Sequence, residues 1–471
     1  MNDFREQAHR LADWIADYLE NPERFPVLSR VRPGDIRRGL PASAPEQGEH
    51  FDAIFADFER VIMPGITHWN HPGFFAYFAI SSSAPGVLAE FLSAALNQQA
   101  MLWRTSPAAT ELEEVTLAWL RKLIGLPDGF EGVIYDTASV STLHALAAAR
   151  EAAVPRVRAA GLGGRSDLEN KGVRVYCGEH AHSSVDKAVI LLGLGHDSLT
   201  RVPADAEFRM RPDLLARAIA ADRAAGLLPI AVVATVGTTS TTSVDPVAEI
   251  ADICRRERVW LHVDAAYAGV AAMVPGYEWI LRGAEHADSL VVNPHKWLFT
   301  PFDLSVLYCR RMDVVRQAFS LTPEYLKTSE ADTGVRNLMD TGIQLGRRFR
   351  ALKLWMILRH FGAEGLRATL AEHMRLAQTF AGWVDASDRF ERVAPVPFSV
   401  VCFRLRNSEG PGDDAEHGRL LDAVNASGEI FLSHTRLDGR YALRLAIGNL
   451  GTTERHVARA WELLNSAADR R

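Results

Sequence analysis

The sequence predicts an α/β architecture: a mostly parallel sheet covered on both faces by helices, with a helical N-terminal arm and a smaller C-terminal α/β unit. Three observations predict it. Short, continuously apolar runs recur between residues 173 and 309 with helical stretches between the first of them, the pattern of strands buried on both faces. The first 80 residues read as helices joined by proline-rich turns (PERFPVLSRVRPG, GLPASAP), which suits an arm better than a free domain. Beyond Gly365 the order becomes helix, strand, helix, strand, helix. The expected units are therefore 1–80 (arm), 81–365 (large domain) and 366–471 (small domain), since 471 residues exceed what one small core serves.

The opening MNDFREQAHRLADWIADYLE carries acids through its apolar positions and reads as a surface helix rather than a signal peptide. After Pro107, ATELEEVTLAWLRKLIGL is a strongly amphipathic helix. The expected strands are VRVYC (173–177), PIAVVATV (229–236), VWLHVD (259–264), SLVVN (289–293) and LSVLYC (304–309). Helices at about 181–192, 211–225 and 245–257 separate the first of these. SVVCFRLR and YALRLAI supply the strands of the small unit. In sheets of this kind ligands gather beyond the carboxyl ends of the strands.

Hydrophobic content of 48% and charge of 23% are ordinary for a globular chain. A net charge of −6 and a pI near 6.3 argue against nucleic acid or anionic membrane as the main partner. No apolar run approaches the roughly 18 residues of a membrane span. Cys177, Cys254, Cys309 and Cys402 are scattered with no CxxC pair, and a reduced, cytoplasmic setting is expected. Only six of the 52 basic residues are lysines, so a lysine in an apolar segment is informative.

Lys296 is such a lysine, in SLVVNPHKWLF directly after a strand. It could snorkel to the surface. Desolvated, its amine becomes nucleophilic toward a carbonyl and suits an aldehyde cofactor such as pyridoxal phosphate (PLP). Asp264 ends the strand VWLHVD, either as a turn cap or as the carboxylate that keeps a pyridine nitrogen protonated. The small residues Ala265, Ala266 and Gly269 leave room for a flat ring. Thr137-Ala138-Ser139 precedes a helix and is a simple N-cap or a phosphate cradle; it lacks the glycine spacing of a nucleotide site. His182 opens another helix, as a capping residue or as a ring stacked on the cofactor. Glu179, His180 and His182 do not complete a metal site. Together these residues describe one site: imine lysine, ring-nitrogen acid, stacking histidine and phosphate cradle.

The stretches HPGFFAYF, WRTSPAATELE, AHSSVDKA, HVDAAYAG, NPHKW, PEYLK and LGRRFRALKLW, from about residue 67 to about 357, strongly resemble the group II PLP-dependent decarboxylases, and among them the aromatic-L-amino-acid decarboxylases. The resemblance implies the fold-type I, aspartate aminotransferase-like architecture and a homodimer with the active site at the interface, wrapped by the N-terminal arm. It implies that Lys296 bonds the cofactor, Asp264 pairs with its ring nitrogen and His182 stacks on the ring. Ala266 would pack on the opposite face and Thr239 would lie nearby. Ala138, Ser139, Asn293 and His295 would contact the phosphate. Tyr325 would be a loop tyrosine that protonates the substrate carbon.

Some positions depart from the animal enzymes of that family. Ile80 stands where a threonine is usual, Asp136 replaces a glycine beside the cradle, and Gln99 and Met101 stand where apolar or aromatic residues line the pocket. Trp69, Tyr77 and Phe78 keep an aromatic wall, and Gly346 leaves space near the side-chain end, so an indole is accommodated at least as well as a phenol. The alternatives are an aromatic aldehyde synthase, against which Tyr325 argues, or a decarboxylase of histidine or glutamate. For an acidic substrate the sequence reveals no extra basic residue in the pocket. A non-catalytic PLP-binding homologue is the remaining possibility.

Overall fold

The computed structural model describes residues 2–163, 172–321, 334–406 and 413–469. Its centre is a seven-stranded sheet in the order β1-β7-β6-β5-β4-β2-β3. The strands are β1 (Glu131–Tyr135), β2 (Val173–Gly178), β3 (Leu199–Val202), β4 (Leu228–Thr235), β5 (Trp260–Asp264), β6 (Ser289–Val292) and β7 (Ser305–Cys309). Only β7 runs against the others. It pairs antiparallel with both of its neighbours, β1 and β6. β5, β6 and β7 are buried at every residue, because helices cover both faces of the sheet and exclude water.

All five expected strands of this sheet form within a residue or so at each end. Two further ones were not anticipated. β1 is a five-residue piece at the sheet edge, and β3 is a four-residue edge strand whose LTRV is half-exposed, so neither carries a long apolar run. The helix Ala351–Asp385 crosses the expected junction at 365. Its backbone leaves helical geometry at Gly362 (φ 63°, ψ 174°), a conformation that favours glycine. Beyond it lie β8 (Phe390–Arg392), β9 (Val400–Leu405), β10 (Ser433–Leu437) and β11 (Arg440–Ala446), an antiparallel sheet in the order β10-β11-β9-β8.

The N-terminal segment is tied to this smaller sheet of its own chain. Val27 N–H donates to Gly428 O, Phe75 N–H to Phe431 O, and Ala446 N–H to Phe75 O, at 2.8–2.9 Å. Asn449 holds the Trp69 and His71 carbonyls, and Thr452 holds that of Pro72. These bonds fix residues 69–80 against the large sheet's carboxyl edge, where the site forms. Among the described residues, no helix is long and apolar enough to cross a membrane.

Candidate active site

β1, β2, β4, β5 and β6 all end at one edge, and the segments that follow them line a cavity of about 460 Å³. The cavity walls include Lys296, Asp264, His182, Ala266, Thr239, Ala138, Ser139, Asn293 and His295, together with Trp69, Tyr77, Phe78 and Ile80. Residues far apart in sequence are thus brought together as the strand-end rule expects.

Lys296 sits in the one-turn helix Pro294–Trp297 just past β6, its backbone N–H bonded to Asn293 O at 2.9 Å. Burial draws its amine below the ordinary lysine value; Asp264 opposes the shift and Arg444 adds to it. Asp264 closes β5 and is 6% exposed. Its Oδ1 accepts the Ala266 N–H at 3.1 Å, so it caps the turn and still presents a carboxylate to the cavity. One carboxylate thus caps the turn and lines the cavity at once.

His182 lies in the turn after β2. Its Nδ1 accepts the Ser184 N–H at 3.1 Å, which leaves the ring proton of the neutral imidazole on Nε2. Burial lowers its pKa, with Asp264 pulling it up and Lys296 down. His295 is pushed down to about 3 by burial, with Lys296 assisting; its Nδ1 accepts the Leu304 N–H at 2.9 Å. It too is neutral, with an Nε2–H to offer. His180 packs edge-on against Phe208.

The helix Ala138–Ala153 begins at the cavity with Thr137 as its N-cap. Its first-turn amides have no intrahelical acceptors and carry the positive end of the helix dipole. Asp136 is not part of the cavity wall. Its carboxylate accepts the Thr137 N–H at 2.6 Å and the Thr137 hydroxyl at 3.3 Å.

The opposite wall is aromatic. Trp69 stacks on Phe74 and Tyr77, at 4.3 and 5.9 Å between centroids. Phe78 stacks on Tyr267 at 3.9 Å, with the Lys296 amine 5.2 Å from its ring centre. Tyr77 has φ 52°, a strained value for an aromatic residue. Ser433 Oγ accepts its N–H, and Arg444 donates to its carbonyl.

Arg444 is the cavity residue that sequence reading missed, and it supplies the basic group not found there. It is 4% exposed. Its Nε donates to Ser240 O at 3.0 Å, its Nη1 to Tyr77 O, and its guanidinium lies 4.6 Å from the Phe78 centroid. Nη2 is buried without a partner. The available signal was an arginine inside the otherwise apolar strand YALRLAI. Thr235, Gly237 and Ser240, after β4, and Phe302, His434 and Thr435 also line the cavity without having been singled out.

Gln99, Met101 and Gly346 are not among the cavity walls of this chain. Gln99 Oε1 accepts the Arg347 N–H at 2.8 Å, a Cβ on Gly346 would meet Gln99 Nε2 at 3.2 Å, and Met101 packs on Leu102 and Met339. Tyr325 lies outside the described residues.

The pyridoxal-dependent decarboxylase conserved domain matches residues 33–406. The chain is 42% identical to tryptophan decarboxylase 2 of Oryza sativa subsp. japonica, over 98% of this chain and 94% of that protein. It is 41% identical to the aromatic-L-amino-acid decarboxylase of Sus scrofa, over 99% and 96%. It is 42% identical to the phenylacetaldehyde synthase of Arabidopsis thaliana, over 98% and 95%. A crystal structure of Oryza sativa TDC with PLP and tryptamine superposes with a TM-score of 0.95 at 37% identity, covering 100% of this chain and 98% of that one.

Proposed function

Because the chain belongs to the pyridoxal-dependent decarboxylase family, we propose that it removes the α-carboxylate of an aromatic L-amino acid, releasing the arylalkylamine and carbon dioxide. One observation carries this reading: a single cavity joins Lys296, Asp264 and His182 to the aromatic wall of Trp69, Tyr77 and Phe78. The residues fit the family's cofactor, pyridoxal phosphate. The Thr235 Oγ1 and Asn293 Oδ1 atoms are buried without partners at residues that line the cavity, and buried polar atoms are rarely left unpaired.

Bound there, the cofactor supplies an aldehyde for the substrate amine and a ring that takes up the electrons left by departing carbon dioxide. Lys296 would hold the cofactor's aldehyde, and Asp264 would keep its ring nitrogen protonated. His182 and Ala266 clasp the ring, with Thr239 nearby. Ala138, Ser139, Asn293 and His295 hold the phosphate at the helix N-terminus. Arg444 offers its one uncommitted nitrogen to the α-carboxylate. Trp69, Tyr77 and Phe78 receive the side chain, and Ile80 gives a ring hydroxyl no partner, so tryptophan is placed first.

A panel of the common amino acids scored for carbon dioxide and amine tests this. Aromatic substrates should exceed histidine and glutamate at least about tenfold in kcat/KM, a difference of about 1.4 kcal/mol in transition-state binding. Preference for glutamate would make Arg444 a side-chain anchor and overturn the reading.

The working unit we propose is a homodimer. The helix Ala84–Leu96 leaves Leu88, Phe91, Leu92 and Leu96 each at least half exposed, and Ile343 and Leu345 are exposed as well; unburied apolar side chains in such number mark an interface. Gln99, Met101 and Gly346 would then line the cavity of the partner. Chains carrying Lys296→Ala mixed with chains carrying Met101→Asp should recover activity in hybrid dimers, to about one quarter of the wild-type level with random exchange. Trp69 is unsuited to this test because it lines its own chain's cavity. No recovery despite proven exchange would place the site within one chain.

Tyr325 is assigned the return of a proton to the substrate carbon. Tyr325→Phe should slow that step and let dissolved oxygen oxidise the carbon instead, yielding aldehyde, ammonia and hydrogen peroxide beside the amine. Amine and peroxide measured together decide it. A slower mutant that still releases one amine per carbon dioxide, without peroxide, removes Tyr325 from the role.

A further inference from the structure

The motif HVDAAYAG contains a histidine that none of these roles uses. His262 is fully buried in the middle of β5. Trp260, His262 and Asp264 alternate along that strand and therefore share one face of the sheet. The helix Ala138–Ala153 covers this face, and its Ala145, Ala148 and Ala149 join Trp260 in one buried cluster. Across the pairing with β6, His262 stands opposite Ser289. Ser289 Oγ lies 2.9 Å from Trp260 Nε1 and 2.9 Å from His262 Nδ1. The indole N–H is a donor only, so the serine accepts from Trp260; its own proton, which meets no other acceptor among the described residues, is assigned to Nδ1. The ring proton of His262 then sits on Nε2, and that nitrogen is buried without a partner. Burial lowers the imidazole pKa to about 4, with Asp264 acting against the shift, so the ring is neutral.

A chain of two hydrogen bonds that fixes a tautomer in a dry core, and ends in an unspent N–H two residues from Asp264, is more than packing requires. A phenylalanine would fill the space without an unpartnered ring nitrogen. We propose that His262 is a positioning residue for Asp264, its Nε2–H dipole directed up the shared strand face toward the carboxylate. The dipole limits the directions the carboxylate can take. Trp260 and Ser289 act only by holding the imidazole in this tautomer. The inference rests on the reading that Asp264 faces the cofactor ring nitrogen. It differs from that reading in assigning the orientation of Asp264 to residues that touch neither cofactor nor substrate.

The test uses the purified holoenzyme without substrate and reads two quantities, the pH midpoint of the cofactor's visible absorbance and its rate of loss on dilution. His262→Asn keeps a group facing Ser289 and removes the Nε2–H; His262→Gln keeps an N–H near the Nε2 position. His262→Asn should shift the midpoint by up to about one pH unit, a tenfold change in proton affinity, and speed cofactor loss by no more than the few-fold expected of Asp264→Asn. His262→Gln should restore both to within about threefold of wild type, a few tenths of a pH unit. Ser289→Ala should move them in the same direction as His262→Asn by a smaller amount, and it carries the test if the Asn variant does not fold. Asp264→Asn serves as the reference. If it moves the midpoint and neither His262→Asn nor Ser289→Ala does, His262 is a packing residue and the proposal is wrong. A fall in thermal midpoint without any spectral change overturns it in the same way. If Asp264→Asn leaves the midpoint unmoved, the reading of Asp264 fails, and the role of His262 falls with it.

Discussion

Lys296→Ala should abolish turnover, to less than about one-thousandth of wild type, the size of loss seen when a covalently acting group is removed. The fold should survive the change. Burial and the nearby Arg444 lower the amine's pKa against the pull of Asp264, and the variant removes a cavity-wall group rather than a core side chain. The amine's contact with the Phe78 ring at 5.2 Å contributes on the order of 2 kcal/mol, too little to decide whether the chain folds. Cofactor bound to the native state raises apparent stability by mass action, so mutant and wild type must be compared as apo chains, where their thermal midpoints should agree within a few degrees. Reduction of the wild-type holoenzyme with borohydride followed by mass spectrometry should place the pyridoxyl group on Lys296. A pyridoxyl group on any other lysine would overturn the site assignment.

The fold was legible wherever hydrophobic pattern decides structure. β4, β5, β6 and β7 are continuous apolar runs because both of their faces are covered, and their ends could be placed within a residue or so. β1 and β3 escaped notice because edge position and short length erase that signal. The junction at 365 rested on a change of pattern; in the structure the helical stretch Ala351–Asp385 is divided by a kink at Gly362, about three residues earlier. The attachment of residues 69–80 to the smaller sheet could not be read at all. It runs through backbone groups, as in the bonds joining Phe75 to Phe431 and Ala446, and these leave no mark on side-chain pattern.

The site was legible to the extent that each of its residues follows a strand. Lys296, Asp264 and His182 were found because strand ends are where such a sheet presents chemistry. Arg444 follows no strand of the large sheet. It enters the cavity from the middle of β11, and only the packing of two sheets together shows that its guanidinium is sequestered beside Phe78. Gln99, Met101 and Gly346 illustrate the reverse limit. Motif position assigned them to a pocket, and the chain's own cavity does not include them. A linear sequence does not say which subunit's pocket a residue serves.

Asp264→Asn should lower turnover about a hundredfold or more while changing cofactor retention only a few-fold. The asymmetry follows from what the carboxylate does in each setting. As a cap it accepts the Ala266 N–H through Oδ1 at 3.1 Å, and an asparagine carbonyl accepts that bond equally well, so the turn after β5 should persist. The proposed phosphate cradle, His182 and the proposed bond to Lys296 are also untouched, so the hold on the cofactor proposed for them should persist. What asparagine lacks is the charge. Asp264 is the carboxylate that draws the pKa values of both Lys296 and His182 upward against burial, and a ring nitrogen beside it gains the same support for its proton. Without that charge the nitrogen releases its proton more readily, and the ring accepts the electrons of the breaking bond poorly. The loss therefore falls on the transition state rather than on the bound ground state. Turnover measured at saturating cofactor, beside the cofactor dissociation constant from equilibrium dialysis, separates the two. A mutant within about threefold of wild type in turnover, well short of the hundredfold expected for a lost electrostatic stabiliser, would leave Asp264 as a turn cap. A mutant that loses cofactor and turnover in equal measure would assign the carboxylate to binding instead.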